Sequence, residues 1–76
     1  MKMFFFDVMR GKTRVHDFHG SCLRTVDEAR DVADTMSLDL ACLDEGTDSE
    51  VQVRDTVGAL LFTVKARPPD LVLGNR

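Results

Sequence analysis

One stretch of the 76-residue sequence has the residue spacing of an amphipathic helix, and its central position limits how the chain can fold. Thr25 and Glu28 form the Thr-x-x-Glu capping box that is typical of a helix N-terminus. Apolar residues then recur three and four positions apart, in one stripe: Val26, Ala29, Ala33, Met36, Leu40 and Leu43. The sequence therefore predicts a single helix that begins at Thr25 and stops at Gly46.

Two pairs of strand-like runs flank this helix. Before it, residues 3–8 and 13–18 are rich in aromatic and β-branched side chains and are separated by a short turn. After it, residues 49–55 and 59–66 alternate polar and apolar side chains around a second turn. The prediction is an α+β fold of ββαββ order, a four-stranded sheet with one helix packed on one face.

The strand order can also be predicted from apolarity. The first and fourth runs are the most apolar, so they are expected to lie in the centre of the sheet, in the spatial order 2-1-4-3 with the central pair parallel. Residues 17–20 and 55–58 both have the Asp-x-x-Gly spacing of a turn. Residues 1–67 are predicted to form a single domain, and residues 68–76, which begin with two prolines, a flexible C-terminal tail.

A domain this short has a small core. It buries only about 60% of the surface that its unfolded chain exposes, so partner subunits often add stability. Asp7 interrupts the apolar run Met3–Phe6, which is too short for a signal peptide, and no run is long enough to span a membrane. We therefore expect a cytoplasmic protein that does not associate with membranes.

The net charge of −3 conceals an uneven distribution of charge. Nine of the thirteen acidic residues lie between residues 27 and 50, where Arg30 is the only base. The rest of the chain holds nine bases and four acids. The molecule is electrically polarised, so its acidity does not exclude a polyanionic partner.

One helix covers only one face of a four-stranded sheet, and strand alternation assigns side chains to the two faces. Phe4, Phe6 and Val8 are predicted to face the helix together with Leu60, Phe62 and Val64. The opposite face is predicted to be an interface with an apolar centre of Met3, Phe5, Leu61 and Thr63, ringed by Asp7, Arg14, His16, Arg54 and Lys65. This composition suits a homodimer or another protein partner.

A second interpretation is that the same face binds single-stranded nucleic acid. Phe5 would stack on a base, and five basic side chains would contact phosphates: Arg10, Lys12, Arg14, Arg54 and Lys65. A single aromatic side chain and an acidic helix are unfavourable for a long polyanion, so this interpretation is the alternative to protein binding.

Other chemistry has weaker support in the sequence. His16, His19 and Cys22 are residue types that bind zinc, but a fourth ligand and paired spacing are missing, so no metal or other cofactor is predicted. Cys22 and Cys42 bracket the predicted helix, which separates them by about 25 to 30 Å and excludes a disulfide within the chain. No nucleophile elbow or phosphate-binding glycine loop is present, and we predict that the protein is not an enzyme.

Several motifs together resemble a known family. These are the "FFFDV" run, a glycine turn, "HDFHG", "CLRTVDEAR" and "VQVRDTVG" followed by an apolar strand. In this combination the chain resembles an uncharacterised family of short alphaproteobacterial proteins, over residues 3 to about 65. His19 departs from the family pattern, where a polar or acidic residue is more usual. The resemblance implies a small cytoplasmic bacterial protein with a ββαββ fold, and it implies no activity.

Overall fold

The computed structural model of the chain describes residues 1–43 and 49–66. The elements are β1 (Lys2–Arg10), β2 (Thr13–Val15), β3 (Ser21–Leu23), α1 (Val26–Leu43), β4 (Ser49–Arg54) and β5 (Leu60–Lys65). The α+β class and the single helix are confirmed. The predicted helix stop at Gly46 and the predicted tail of residues 68–76 lie outside the described residues. Within those residues, no helix is long and apolar enough to cross a membrane.

The sheet differs from the prediction in the number and order of its strands. Among the described residues, five strands pair antiparallel: β2, β1, β4 and β5 lie side by side in that order, and β3 also pairs with β1. The predicted directions are correct, since β1 and β5 run parallel to each other, but the predicted central pair is wrong. The neighbour of β1 is β4, whose Val51 and Val53 are completely buried. The other face of β4 is polar, which made this strand look like an edge in the sequence.

The predicted second strand, residues 13–18, is interrupted. Only Thr13–Val15 pairs with β1, opposite Val8–Arg10, and the chain then leaves the sheet before Ser21–Leu23 pairs opposite Lys2–Phe4. Both β2 and β3 thus lie along the same edge of β1. The segment His16–Gly20 between them, which we call the edge loop, lies beside the middle of β1.

Helix α1 begins as predicted, with one difference in its cap. The Thr25 hydroxyl accepts a hydrogen bond from the Glu28 N–H at 3.1 Å. The Glu28 carboxylate reaches back one residue further than in a standard capping box and accepts from the Arg24 N–H at 2.7 Å. The orphan N–H of Glu28 in the first turn is therefore satisfied, and so is the N–H of Arg24 just before the helix.

The core lies between α1 and one face of the sheet. Its buried side chains are Phe4, Phe6, Ala29, Ala33, Val51 and Val53, with Leu23, Val32, Met36, Leu40, Phe62 and Val64 packed around them. The Arg30 guanidinium lies 4.4 Å from the centre of the Phe62 ring and covers the edge of this core. Leu60 was predicted to belong to the core, but a bulge opposite Val53 and Arg54 breaks the alternation of β5, and Leu60 is 53% exposed.

Candidate functional site

The candidate site is the sheet face opposite the helix, which we call the open face. Strand alternation places Met3, Phe5 and Asp7 of β1 there, because Phe4 and Phe6 point into the core. Cross-strand pairing adds the neighbouring side chains: Arg14 opposite Met9, Arg54 opposite Phe5, Gln52 opposite Asp7, and Thr63 opposite Gln52. The open face therefore combines apolar side chains at one end of β1 with charged and polar ones further along.

Asp7 lies at the centre of this face and is almost completely buried, at 1% exposure. Its carboxylate accepts hydrogen bonds from Arg54 Nε at 2.9 Å and from Arg14 at 3.2 Å. His16 Nδ1 lies 3.2 Å from the same carboxylate, and the Asp17 N–H donates to it at 3.0 Å. We call Asp7, Arg14, His16, Asp17 and Arg54 the Asp7 cluster. It compensates the burial of one charge with several donors.

The second acid of the cluster, Asp17, supplies the hydrogen-bond acceptor that a neighbouring strand would otherwise provide to β1. Its carboxylate accepts the Phe6 N–H at 3.1 Å, in the part of β1 that pairs with neither β2 nor β3. It also accepts the N–H groups of His19 and Gly20, both at 3.0 Å. Asp17 therefore both attaches the edge loop to β1 and holds the loop in its own conformation.

The pKa values of Asp7 and Asp17 are both lowered, because hydrogen bonds to each carboxylate outweigh the effect of burial. Burial alone would raise the pKa of Asp7, but the Asp17 N–H, Arg54 and the charge of His16 outweigh it and hold the pKa below its ordinary value. Burial also acts to raise the pKa of Asp17. There the N–H groups of Gly20, Phe6 and His19 prevail and lower the pKa. Both groups are therefore carboxylates at neutral pH.

Phe5 is less available than the sequence indicated. A β-carbon built on Gly20 would lie 2.8 Å from the Phe5 ring and 2.9 Å from the end of Met3, so the backbone of Gly20 packs closely on both side chains. Phe5 and Met3 are accordingly half-buried, whereas Leu61 is 41% exposed and Thr63 is also exposed. Of the four side chains predicted for the centre of the interface, Leu61 and Thr63 are therefore more accessible to solvent than Met3 and Phe5.

Two of the predicted nucleic-acid residues, Arg14 and Arg54, are directed at partners within the domain. Arg14 binds Asp7 and also Gln52, at 2.9 Å, while Arg54 binds Asp7 and the Gly58 carbonyl oxygen, at 3.0 Å. Lys65 pairs with Glu50 across the sheet, and Arg10 and Lys12 lie at the β1–β2 turn. Two of the five predicted cations are therefore engaged by partners within the domain.

The weak metal candidates are not brought together. His16 points to Asp7, while His19 lies in the edge loop and Cys22 in β3. Over residues 1–43 and 49–66, no three His, Cys, Asp or Glu side chains are grouped so as to hold a metal ion. Cys22 and Cys42 are both exposed free thiols.

Sequence reasoning missed the roles of the two acids. Asp7 was assigned to the rim of the face, and Asp17 only to a turn. A signal for Asp7 was present, because an acid between Phe6 and Val8 in a central strand must be buried or paired. No comparable signal pointed to the bond between Asp17 and Phe6, since it depends on the interruption of the edge strand.

Fold and site together define a small α+β domain whose antiparallel sheet has one face covered by a helix and one face organised by a buried acid. The chain belongs to a family described as Domain of unknown function (DUF6894), whose model matches residues 3–67. The resemblance to an uncharacterised family is therefore confirmed, while the bacterial source stays a prediction. No curated protein and no solved structure gives a significant match to the chain.

Proposed function

We propose that this domain is a protein-interaction module that forms a homodimer through its open face. The observation that carries the proposal is the asymmetry of the sheet, since α1 packs on the Phe4 and Phe6 side. On the other side, no described element covers Thr63, which is exposed, and Leu61 at the adjacent bulge is exposed as well. A domain this small gains stability from a partner that removes such apolar surface from water.

The charges of the open face support a protein partner more than a nucleic acid. Arg14 and Arg54 are directed at Asp7, so the positive charge near the centre of the face is compensated within the domain. Phosphate binding would require these guanidinium groups to exchange a buried carboxylate for an exposed anion, which is unfavourable. We accordingly propose a binding role, rather than an enzymatic one, in the bacterial cytoplasm.

The proposal is tested by measuring the solution mass over a wide range of concentrations by light scattering. We expect a mass of twice the 8.5 kDa of the chain, falling toward the monomer on dilution. Leu61→Glu is expected to abolish the dimer, because a buried unpaired carboxylate opposes association. Leu61 is a better choice than Phe5, whose ring packs on Gly20 and supports the fold itself.

The matched control is Leu38→Glu, which places the same charge on an exposed leucine of α1, away from the open face. Leu38 is 57% exposed, comparable to the 41% of Leu61. The control is expected to dimerise like the wild type. A wild-type mass of 8.5 kDa at every concentration would overturn the proposed function, as would equal dimerisation of both variants.

A further inference from the structure

A cleft lies between α1 and the edge of the sheet, at the place where the edge strand is interrupted. Because β2 ends at Val15 and β3 begins at Ser21, the described chain has no strand beside Phe6 at this edge. The cleft has a volume of about 380 Å³. It lies on the helix side of the sheet, since Phe6 of the core and Met36 of α1 both line it. The cleft is therefore separate from the open face.

The cleft combines apolar walls with a few polar groups. Five apolar side chains line it: Phe6, Val8, Val15, Val32 and Met36. The edge loop adds His16 and Asp17, and the first residue of β3 adds Ser21. Sites for small molecules have this composition, a mainly apolar cavity of about 300 to 1,000 Å³ in which a few polar groups orient the ligand.

His16 is held in place by a contact with the other face of the sheet. Its Nδ1 lies 3.2 Å from the carboxylate of Asp7, which is 1% exposed. A carboxylate accepts and cannot donate, so Nδ1 carries a hydrogen, and Nε2 of the neutral ring is left as an acceptor. Among the hydrogen bonds of residues 1–43 and 49–66, none occupies Nε2. The fold therefore sets the tautomer of His16 and leaves an acceptor for a ligand.

The charges around the cleft are unfavourable for an anion. Asp17, a carboxylate at neutral pH, lines it, whereas its described walls include neither lysine nor arginine. Both Asp17 oxygens already accept backbone N–H groups, so they are not available to a ligand. A cation would lose hydration against the apolar walls without gaining an unoccupied carboxylate. The matching ligand is neutral, with an apolar body and one hydroxyl donor.

We propose that this cleft binds a small neutral phenol, whose hydroxyl donates to Nε2 of His16 and whose ring lies against Val15, Val32 and Met36. An aromatic ring is favoured over a flexible chain, because it buries apolar surface with few rotatable bonds to immobilise. The thioether of Met36 adds a favourable contact with such a ring. This inference does not rest on the homodimer, since the cleft lies on the helix side of the sheet.

The first test compares ligands of one shape that differ in a single group. Para-cresol, toluene and para-toluate are titrated into isotope-labelled protein at about pH 8, where histidine side chains are ordinarily neutral, and the backbone amide signals are followed by NMR. Saturable shifts are expected in the edge loop, in β2 and around Val32 and Met36. Para-cresol is expected to bind about fivefold more tightly than toluene, the effect of one hydrogen bond. The anionic para-toluate is expected to bind least.

The second test uses variants of the cleft. His16→Asn keeps a nitrogen donor for Asp7 near the position of Nδ1 and lacks the acceptor at Nε2, so it is expected to bind para-cresol and toluene equally. Val15→Glu places a charge on the cleft wall and is expected to weaken both ligands about tenfold or more. Its matched control is Val57→Glu in the β4–β5 turn, an exposed valine like Val15, and it is expected to bind as the wild type does. Circular dichroism verifies that each variant is folded.

Each result decides one part of the inference. Equal affinities of the wild type for para-cresol and toluene would overturn the role of His16. Tighter binding of para-toluate than of para-cresol would overturn the choice of a neutral ligand. Shifts that avoid the cleft residues, or that Val15→Glu leaves unchanged, would overturn the site itself. The homodimer is judged separately by light scattering, so failure of either proposal leaves the other standing.

Discussion

The two Asp-x-x-Gly turns of the chain have the same sequence spacing and different surroundings. In each, the aspartate accepts the N–H two residues later, His19 for Asp17 and Val57 for Asp55. In each, the glycine has a positive φ, 73° for Gly20 and 85° for Gly58. A short local sequence pattern therefore determines the shape of both turns.

The turns differ in what lies next to them. Asp17 also binds Phe6 in β1, and its own N–H donates to the buried Asp7. Asp55 binds only within the β4–β5 turn in the hydrogen bonds of the described chain, to Val57 and Ala59. The same motif thus acts as a tertiary connection in one place and as a local turn in the other.

The largest expected difference between the turns comes from removing their carboxylates. Asp17→Ala is expected to lower the free energy of unfolding by about 2 to 3 kcal/mol, because the Phe6 N–H in the sheet edge loses its partner. Asp55→Ala is expected to cost about 1 kcal/mol, since the backbone bonds between Asp55 and Ala59 remain. Urea unfolding followed by circular dichroism measures both. Equal losses would mean that the contact with β1 contributes nothing.

The glycines are expected to show a smaller difference. Alanine at either position meets the strain of a positive φ, which costs about 1 kcal/mol. At Gly20 the added carbon would also lie 2.8 Å from the Phe5 ring, whereas nothing lies within 4 Å at Gly58. We expect Gly20→Ala to lose about 2 kcal/mol and Gly58→Ala about 1 kcal/mol in the same unfolding experiment. A larger loss at Gly58 would contradict the packing of Gly20 on Phe5.

The smallest expected effect is on the pH dependence of stability, through the hydrogen bond that links Asp7 to Asp17 of the first turn. The pKa values of Asp7 and Asp17 are lowered in the folded domain. Their contribution is therefore complete above the unfolded pKa of about 3.9 and is lost as the pH falls through the folded values. Between about pH 5 and pH 3, Asp7→Asn is expected to lose less stability than the wild type. If the free energy of unfolding falls equally with pH in the two proteins, Asp7 does not cause the loss of stability in acid.

The sequence was sufficient for features that depend on local patterns. The stripe from Ala29 to Leu40 predicted the helix, and the alternation around Val51 and Val53 predicted a strand with one buried face. Strand order was not predictable in the same way, because the polar face of β4 is accommodated by Asp7 across the sheet. That compensation involves residues 47 positions apart, which no local pattern contains.

The candidate site was predictable in its location and not in its organisation. Alternation was enough to assign Phe5 and Thr63 to a face without a helix. The edge loop that packs against Phe5 was not foreseen, because the gap between β2 and β3 is bridged by side-chain hydrogen bonds of Asp17, one of them from the Phe6 N–H. A side chain that accepts a backbone hydrogen bond in place of a neighbouring strand leaves no periodic pattern in the sequence.

The interrupted edge of β1 also bears on the tendency of this sheet to pair with other chains. A continuous exposed strand edge is a template on which further chains add, and such growth ends in fibrils. Here the edge is divided into two strands of three residues each, and the backbone donor between them is already occupied by Asp17. Because strands this short present few backbone groups in register, this side of the sheet is a poor template for another chain to extend.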